Sequence, residues 1–352
     1  MKEHKPSMEK ILVLIHTDGN NPVPKAALET LGAAKQLASS LGDAAVVVGL
    51  VGADTQQAAG QIAGFGAERL LAVSGMEFAQ ARYSTDAAVI EALCKTAEPT
   101  LVLAPATSRW SRVAPGVSHR LGGKIDTHVT GFSVGDGSLQ IERWYYRQRM
   151  VAKVKRTQRP WFLTLDPGSF PLWEGEAGSA TVEKVEVRLP DSCNRTEIAG
   201  VKAPPADEQT IRPEAEVLFV AGAGWTKKQA DGQVHTGDAE KLILGFLKKA
   251  KASLGSSKSL VDLGGEGQAV LPFLSHLNQV GQTGSTPRHP KGLATCCHGE
   301  EPHVVGWRFI NERRAVNLDA NCGWAHGKTD VLYVADAFKV MAKVNEMLGE
   351  NR

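Results

Sequence analysis

The sequence predicts an α/β protein of two domains, each built on a mostly parallel sheet. Three observations carry that expectation. The apolar runs ILVLI (11–15), AVVVGLV (45–51) and VLFVA (217–221) are continuous and rich in β-branched residues. They lack the in-out alternation of a half-exposed sheet, as strands covered on both faces do. Helix-like stretches separate such runs, which is the pattern of doubly wound layers. Finally, 352 residues suit two domains of ordinary size, and Pro190–Pro213 has the composition of a linker, with four prolines and little periodicity.

The first domain, 1–189, is expected to be a doubly wound parallel sheet with a small antiparallel addition. Strands are expected at Ile11–Ile15, Ala45–Val51, Arg69–Val73 and Leu101–Ala104. Helices are expected at Lys25–Leu41, near Gln57–Phe65 and near Asp86–Thr96. Beyond "APATSRWSRVAPGVSHRLGG" the texture changes to short strand-like runs within Gly131–Val154, then Trp161–Leu165 and Thr181–Leu189. These make the antiparallel addition. The stretch "RWYYRQRMVAKVKR" (143–156) is basic with three aromatics. With a net charge of +2 for the whole chain, it reads as a solvated strand pair rather than a nucleic-acid surface.

The second domain, 214–352, opens with strand Val217–Ala221 and the turn Gly222-Ala223-Gly224. Asp238 is the expected cap of a helix whose buried face is Leu242, Ile243, Phe246, Leu247 and Ala250. A strand at Leu260–Leu263, a helix-like stretch at Val270–Gln279, strands at Ala315–Leu318 and Val331–Val334, and a last helix at Asp336–Leu348 complete the series.

Five cysteines, odd in number and including the adjacent pair Cys296-Cys297, do not form a disulfide framework. Met1–Lys10 is polar and ILVLI is too short for a signal core or a span, which points to a cytoplasmic protein. Ligands of open α/β sheets sit outside the carboxyl ends of the strands. There the second domain offers VGQTG (280–284), CCHGEEPHVVG (296–306), AVNLD (315–319) and VADAF (334–338). They supply hydroxyl, amide, imidazole and carboxylate groups without a G-x-S-x-G nucleophile turn. That set suits holding a large polar cofactor. A metal or thiol-redox site on Cys296, Cys297, His298, His303, Cys322 and His326 is the competing reading. Adjacent cysteines are poor joint ligands of one tetrahedral ion, and the C-x2-C spacing is absent.

These stretches resemble the alpha subunit of electron transfer flavoproteins, in a divergent form. That family carries V-G-Q-T-G, then S-G-A-I-Q-H-L-A-G, A-I-N-K-D and V-A-D-L-F-K-V. Here the matching stretches are VGQTG, HGEEPHVVG (298–306), AVNLD and VADAFKV (334–340). LAPATSRWSRVAPGVSHRLGG and DPGSFP (166–171) match its first-domain motifs. The resemblance implies a flavodoxin- or Rossmann-like second domain holding FAD, and an electron carrier rather than a substrate-transforming enzyme. It implies a heterodimer with a beta subunit, the first domain serving as its platform. Electrons would pass from a donor dehydrogenase to a membrane quinone oxidoreductase.

The implied cofactor contacts are Val280, Gly281, Gln282, Thr283, Gly284, His298, Gly299, His303, Asn317, Asp336 and Ala337. Thr283 would lie near flavin N5, His303 near O2, Asn317 against the nucleotide and Asp336 at the adenine end. Two departures stand out. The family's S-G-G-R-G is AGAGW (221–225) here, and its G-A-S-R aligns with LGGE, placing Gly265 and Glu266 at a serine and a flavin-facing arginine. A carboxylate in place of that cation would lower the flavin potential. Loss of several contacts leaves a flavin-free structural subunit as the other reading.

Overall fold

The computed structural model describes residues 9–17, 22–135, 138–145, 150–200, 211–212, 215–262, 269–280, 288–295 and 310–350. The chain divides into two compact units, Met1–Val201 and Lys202–Arg352.

The first unit contains β1 (Lys10–His16), α1 (Lys25–Ser40), β2 (Ala45–Gly52), α2 (Gln56–Gln61), β3 (Arg69–Ser74), α3 (Tyr83–Ala97), β4 (Leu101–Pro105) and α4 (Ser108–Arg120). There follow β5 (Lys124–Gly135), β6 (Ser138–Tyr145), β7 (Met150–Lys155), β8 (Trp161–Leu165) and β9 (Glu183–Lys184). The sheet order is β7-β6-β5-β8-β4-β1-β2-β3-β9. It is parallel except for β5–β6 and β6–β7, so a doubly wound core carries an antiparallel edge. The period-2 rule divides β1 cleanly. Ile11, Val13 and Ile15 pack with Leu31 and Leu37 of α1, whereas Leu12 and Leu14 pack with Val89, Ile90 and Leu93 of α3 and Val113 of α4.

Asp126 locks the antiparallel edge onto the sheet. Its buried carboxylate accepts from Arg143 Nη1 (3.1 Å), Arg156 Nη2 (3.0 Å) and Nε, and Trp161 Nε1 (2.9 Å). Arg143 and Arg156 bracket the basic stretch, which forms the strand pair β6–β7, so two of its cations hold the fold together.

The second unit contains β10 (Val217–Ala221), α5 (Thr236–Ala250), β11 (Ser253–Ser256), α6 (Lys258–Asp262), β12 (His289–Thr295), β13 (Ile310–Asn317), α7 (Gly323–Lys328), β14 (Val331–Val334) and α8 (Ala337–Glu350). Its five strands are parallel in the order β11-β10-β12-β13-β14. Within the unit that is 2-1-3-4-5, the flavodoxin-like order, whose switch point lies between the first and third strands. Here these are β10 and β12. Phe219 and Ala221 face α5 and α8, and Leu218 and Val220 face the opposite way.

Several expectations are corrected. The strand expected at Leu260–Leu263 lies earlier, at Ser253–Ser256, and Leu260 sits inside α6. Ser253 and Gly255 are not apolar, but both are buried in this edge strand, and burial rather than intrinsic preference makes the strand. Val270–Gln279 is no helix; only His276–Asn278 makes a 3-10 turn. The cap position of α5 belongs to His235, and Asp238 stands in the first turn, 3.6 Å from His235 Nδ1. The strand expected over Thr181–Leu189 shrinks to β9, and both it and β8 pair parallel with their neighbours rather than joining the antiparallel addition. Three further elements were not foreseen: α4, which carries Pro115 inside it, the central strand β12 and the short helix α7.

Candidate functional site

The carboxyl ends of the second unit's strands form a row: Ser256, Ala221, Thr295, Val316 and Tyr333 are register partners, and Asn317 stands one residue beyond Val316. Backbone leaves each strand in a fan. Gly222 N donates to Thr295 O (2.9 Å) and Ser257 N to Ala221 O (2.9 Å). At the switch point stands Trp225. Its buried indole donates from Nε1 to Thr295 Oγ1 (2.9 Å) and packs on Phe338 with ring centres 4.6 Å apart. The resemblance puts a cofactor-contacting arginine at Gly224 or Trp225, and both are buried here, the indole turned into the core. Lys227 and Lys228, which follow it, are exposed.

Val280 is fully buried, and its N–H donates to Ser256 O (3.0 Å). A Cβ at Gly255 would come within 2.5 Å of Val280 Cγ2, so only glycine fits there. The turn leading to Val280 is clamped by Asn278, a residue the motif reading overlooked. Asn278 Oδ1 accepts from Ser275 N (3.1 Å), and Ser275 Oγ accepts from Leu277 N (3.3 Å) in a capping box. The signal was the S-x-x-N spacing. Asp262 adds a second brace, accepting from Lys258 Nζ (2.5 Å) and meeting His276 Nε2 (2.9 Å). Its bond to Lys258 and then that to His276 hold its carboxyl below the usual range. Gly281, Gln282, Thr283, Gly284, His298, Gly299 and His303 lie outside the described residues.

Asn317 and Asp336 come together at the other end of the row, lining one cleft with Ala337 and Gln229. Asn317 is 1% exposed. Its Oδ1 accepts from Asp319 N (3.2 Å), while its Nδ2 has no hydrogen-bond partner among the described residues. A buried amide donor without a partner costs about 1–3 kcal/mol. Asp336 caps α8, Oδ1 accepting from Phe338 N (2.8 Å). Ser256 Oγ, at the far end of the row, is likewise buried and unpartnered. Three strand spacings separate the two orphan groups, about 14 Å. Unsatisfied polar atoms at both ends of a strand-end row fit an elongated polar ligand such as a flavin nucleotide.

The end of β11 and the start of α6 read Gly255-Ser256-Ser257-Lys258, which has glycine, serine and a cation in the order of G-A-S-R. Gly265 and Glu266, which had been aligned with the serine and arginine, lie outside the described residues. For the thiol reading, Cys94, Cys193 and Cys322 are buried and free, and burial pushes the Cys94 thiol up to about 12. Such thiols behave as small apolar residues. Among the described residues no three His, Cys, Asp or Glu side chains are placed to hold a metal ion. Cys296 and Cys297 lie outside them.

An electron transfer flavoprotein domain model matches residues 11–190, just over half of the chain. The electron transfer flavoprotein subunit alpha of Clostridium acetobutylicum is 25% identical over 334 residues, covering 93% of this chain and 91% of that protein. Protein FixB of Clostridium saccharobutylicum is 26% identical, covering 93% and 90%. The subunit alpha of Bacillus subtilis is 23% identical, covering 87% and 88%. With the two-unit architecture and the second unit's strand order, these likenesses establish that the chain belongs to the electron transfer flavoprotein family, among its alpha subunits.

Proposed function

We propose that the chain is the FAD-holding alpha subunit of a heterodimeric electron carrier. It would take electrons from a dehydrogenase and pass them to a membrane quinone oxidoreductase. The family supports the coarser part: a flavin-based electron transfer protein that pairs with a beta subunit, rather than an enzyme that transforms a substrate. Among the described residues no helix is long and apolar enough to cross a membrane.

The observation that carries the finer reading is the orphan Asn317 Nδ2 beside Asp336, at the carboxyl edge of a flavodoxin-order sheet. The distance of about 14 Å to Ser256 favours a dinucleotide over a mononucleotide, since it spans four strands. In this reading Asn317 donates to the nucleotide and Asp336 accepts from it with the oxygen not used in capping. Ala337 lets the ligand approach the start of α8. Val280, braced by Ser256 and Asn278, precedes Gly281–Gly284, and the resemblance would have Thr283 and His303 hydrogen-bond the flavin ring, with His298 and Gly299 beside it. Lys258 supplies the positive charge that the family draws from arginine. The bound flavin supplies reversible uptake and release of electrons; the protein's contribution is placement and tuning.

A flavin-free structural subunit is the second reading, favoured by the Trp225 indole at the switch point. One experiment separates the two. The protein is co-purified with its beta subunit, its absorption spectrum recorded, and any cofactor released by acid and identified. A flavin band yielding FAD, reduced in Asn317→Ala/Asp336→Ala, is the expected result. A colourless complex that FAD does not reconstitute would leave the structural subunit.

A further inference from the structure

The first unit carries a groove of about 600 Å³ that the electron-carrier reading does not use. Its size is ordinary for a binding site. One wall is the outer face of α3 from Tyr83 to Thr96, about 20 Å of helix. The other is the segment Glu186–Cys193, which leaves the edge strand β9. Both ends of that segment are tied down. Val185 N donates to Ala72 O (2.8 Å), and Arg82 Nη1 donates to Thr196 O (3.0 Å). The groove is therefore built into the fold, with the small side chains of Ala88 and Ala92 leaving its helical wall low.

The charges lining it do not balance. Glu91 is neutralised by Arg120 and Glu186 by Lys184 (2.9 Å). Lys95 and Arg188 also line the groove and are exposed, and their side chains have neither a hydrogen bond nor an ion pair among the described residues. Two uncompensated cations in one groove attract anions more strongly than scattered surface lysines do.

We propose that this groove binds an extended acidic segment of a partner protein, about six residues long at the rise of a strand. Carboxylates of the segment pair with Lys95 and Arg188, and its backbone lies over Ala88 and Ala92. A small anion would leave most of the helical wall uncovered; an extended peptide matches the wall's length.

The test uses the complex with its beta subunit and a fluorescein-labelled hexaglutamate peptide, followed by fluorescence anisotropy. Saturable binding that weakens with salt is expected. Lys95→Glu/Arg188→Glu should weaken it at least about tenfold, and Ala92→Trp should block it while keeping both cations. Lys124→Glu, at an exposed lysine elsewhere in the unit, should leave it unchanged. Absent binding, binding insensitive to the double change, or an equal loss with Lys124→Glu would overturn the proposal. Inorganic phosphate competing as well as the peptide would assign the groove to small anions instead, and overturn it too.

Discussion

The carboxyl edges of the two sheets, both built on parallel strands but in different strand orders, are furnished differently. In the first unit, Arg109 reaches from the start of α4 to Asp86 at the start of α3. Its Nη2 lies 2.6 Å from Asp86 Oδ1 and donates to Phe78 O at 2.8 Å. His16, at the end of β1, meets Ala79 O (3.3 Å), the carbonyl that Arg109 Nη1 also approaches. The arginine thus finds its partners within the protein, while Asp86 Oδ2 and Thr164 Oγ1 at the same edge have no hydrogen-bond partner among the described residues. In the second unit, Asn317 Nδ2 and Ser256 Oγ find none. A buried ion pair closes the first edge at Arg109 and Asp86, whereas the described ion pairs beside the second, those of Asp262, are part-exposed.

The largest expected effect tests the closed edge. Asp86 is fully buried and Arg109 nearly so, and burial pushes the Asp86 carboxyl up against the opposing pull of Arg109. Removing one partner strands a buried charge, so Arg109→Ala should cost about 3–5 kcal/mol in denaturant unfolding. Flavin retention should be unchanged; its loss would mean that the first edge also serves the cofactor. At the open edge, Asn317→Ala/Asp336→Ala should weaken FAD binding about 10–100-fold, two hydrogen bonds of ordinary strength. A fall in stability with full affinity would instead make the second edge as self-contained as the first.

A third prediction sharpens the platform side. Burial opposes the charge on Asp126, but the bonds from Arg156 and Trp161 and the nearby charges of Arg156 and Arg143 outweigh it, so the carboxyl titrates below its usual range. Its folded pKa is depressed, so its stabilisation is complete above the unfolded value of about 3.9. It is lost as pH falls through the lower folded value. Urea unfolding between pH 2 and 5 should show that loss in the native protein and a flatter profile in Asp126→Asn.

The smallest effect concerns tuning. Lys258 is half-exposed and shares its charge with Asp262. Lys258→Gln should lower the flavin potential by about 10–20 mV, the two-electron equivalent of roughly 0.5–1 kcal/mol. An unchanged potential with normal FAD binding would remove Lys258 from that role.

Much of the architecture was legible because burial on both faces demands unbroken apolar runs, as in β1, β2 and β10. What escaped had no such run. β12 reads His-Pro-Lys-Gly-Leu-Ala-Thr yet lies at the centre of its sheet. α4 carries Pro115 and several basic residues, but Trp110, Val113, Ala114 and Val117 all fall on its buried side. The strand expected at Leu260–Leu263 lies earlier, at Ser253–Ser256, because burial and not an apolar run makes it. Of the site, Asn317 and Asp336 were visible from their motifs, whereas Asn278 was hidden because its role depends on a turn closing on β11.

The amino-acid sequence alone therefore determined the fold class, the two-sheet organisation and the motifs of the binding edge, because periodicity and strand-end spacing are local properties. Tertiary structure decided the rest. Whether a buried amide is satisfied, whether an arginine closes an edge, and which cation follows β11 all depend on residues brought together from distant parts of the chain. No local pattern records which of those groups will find a partner.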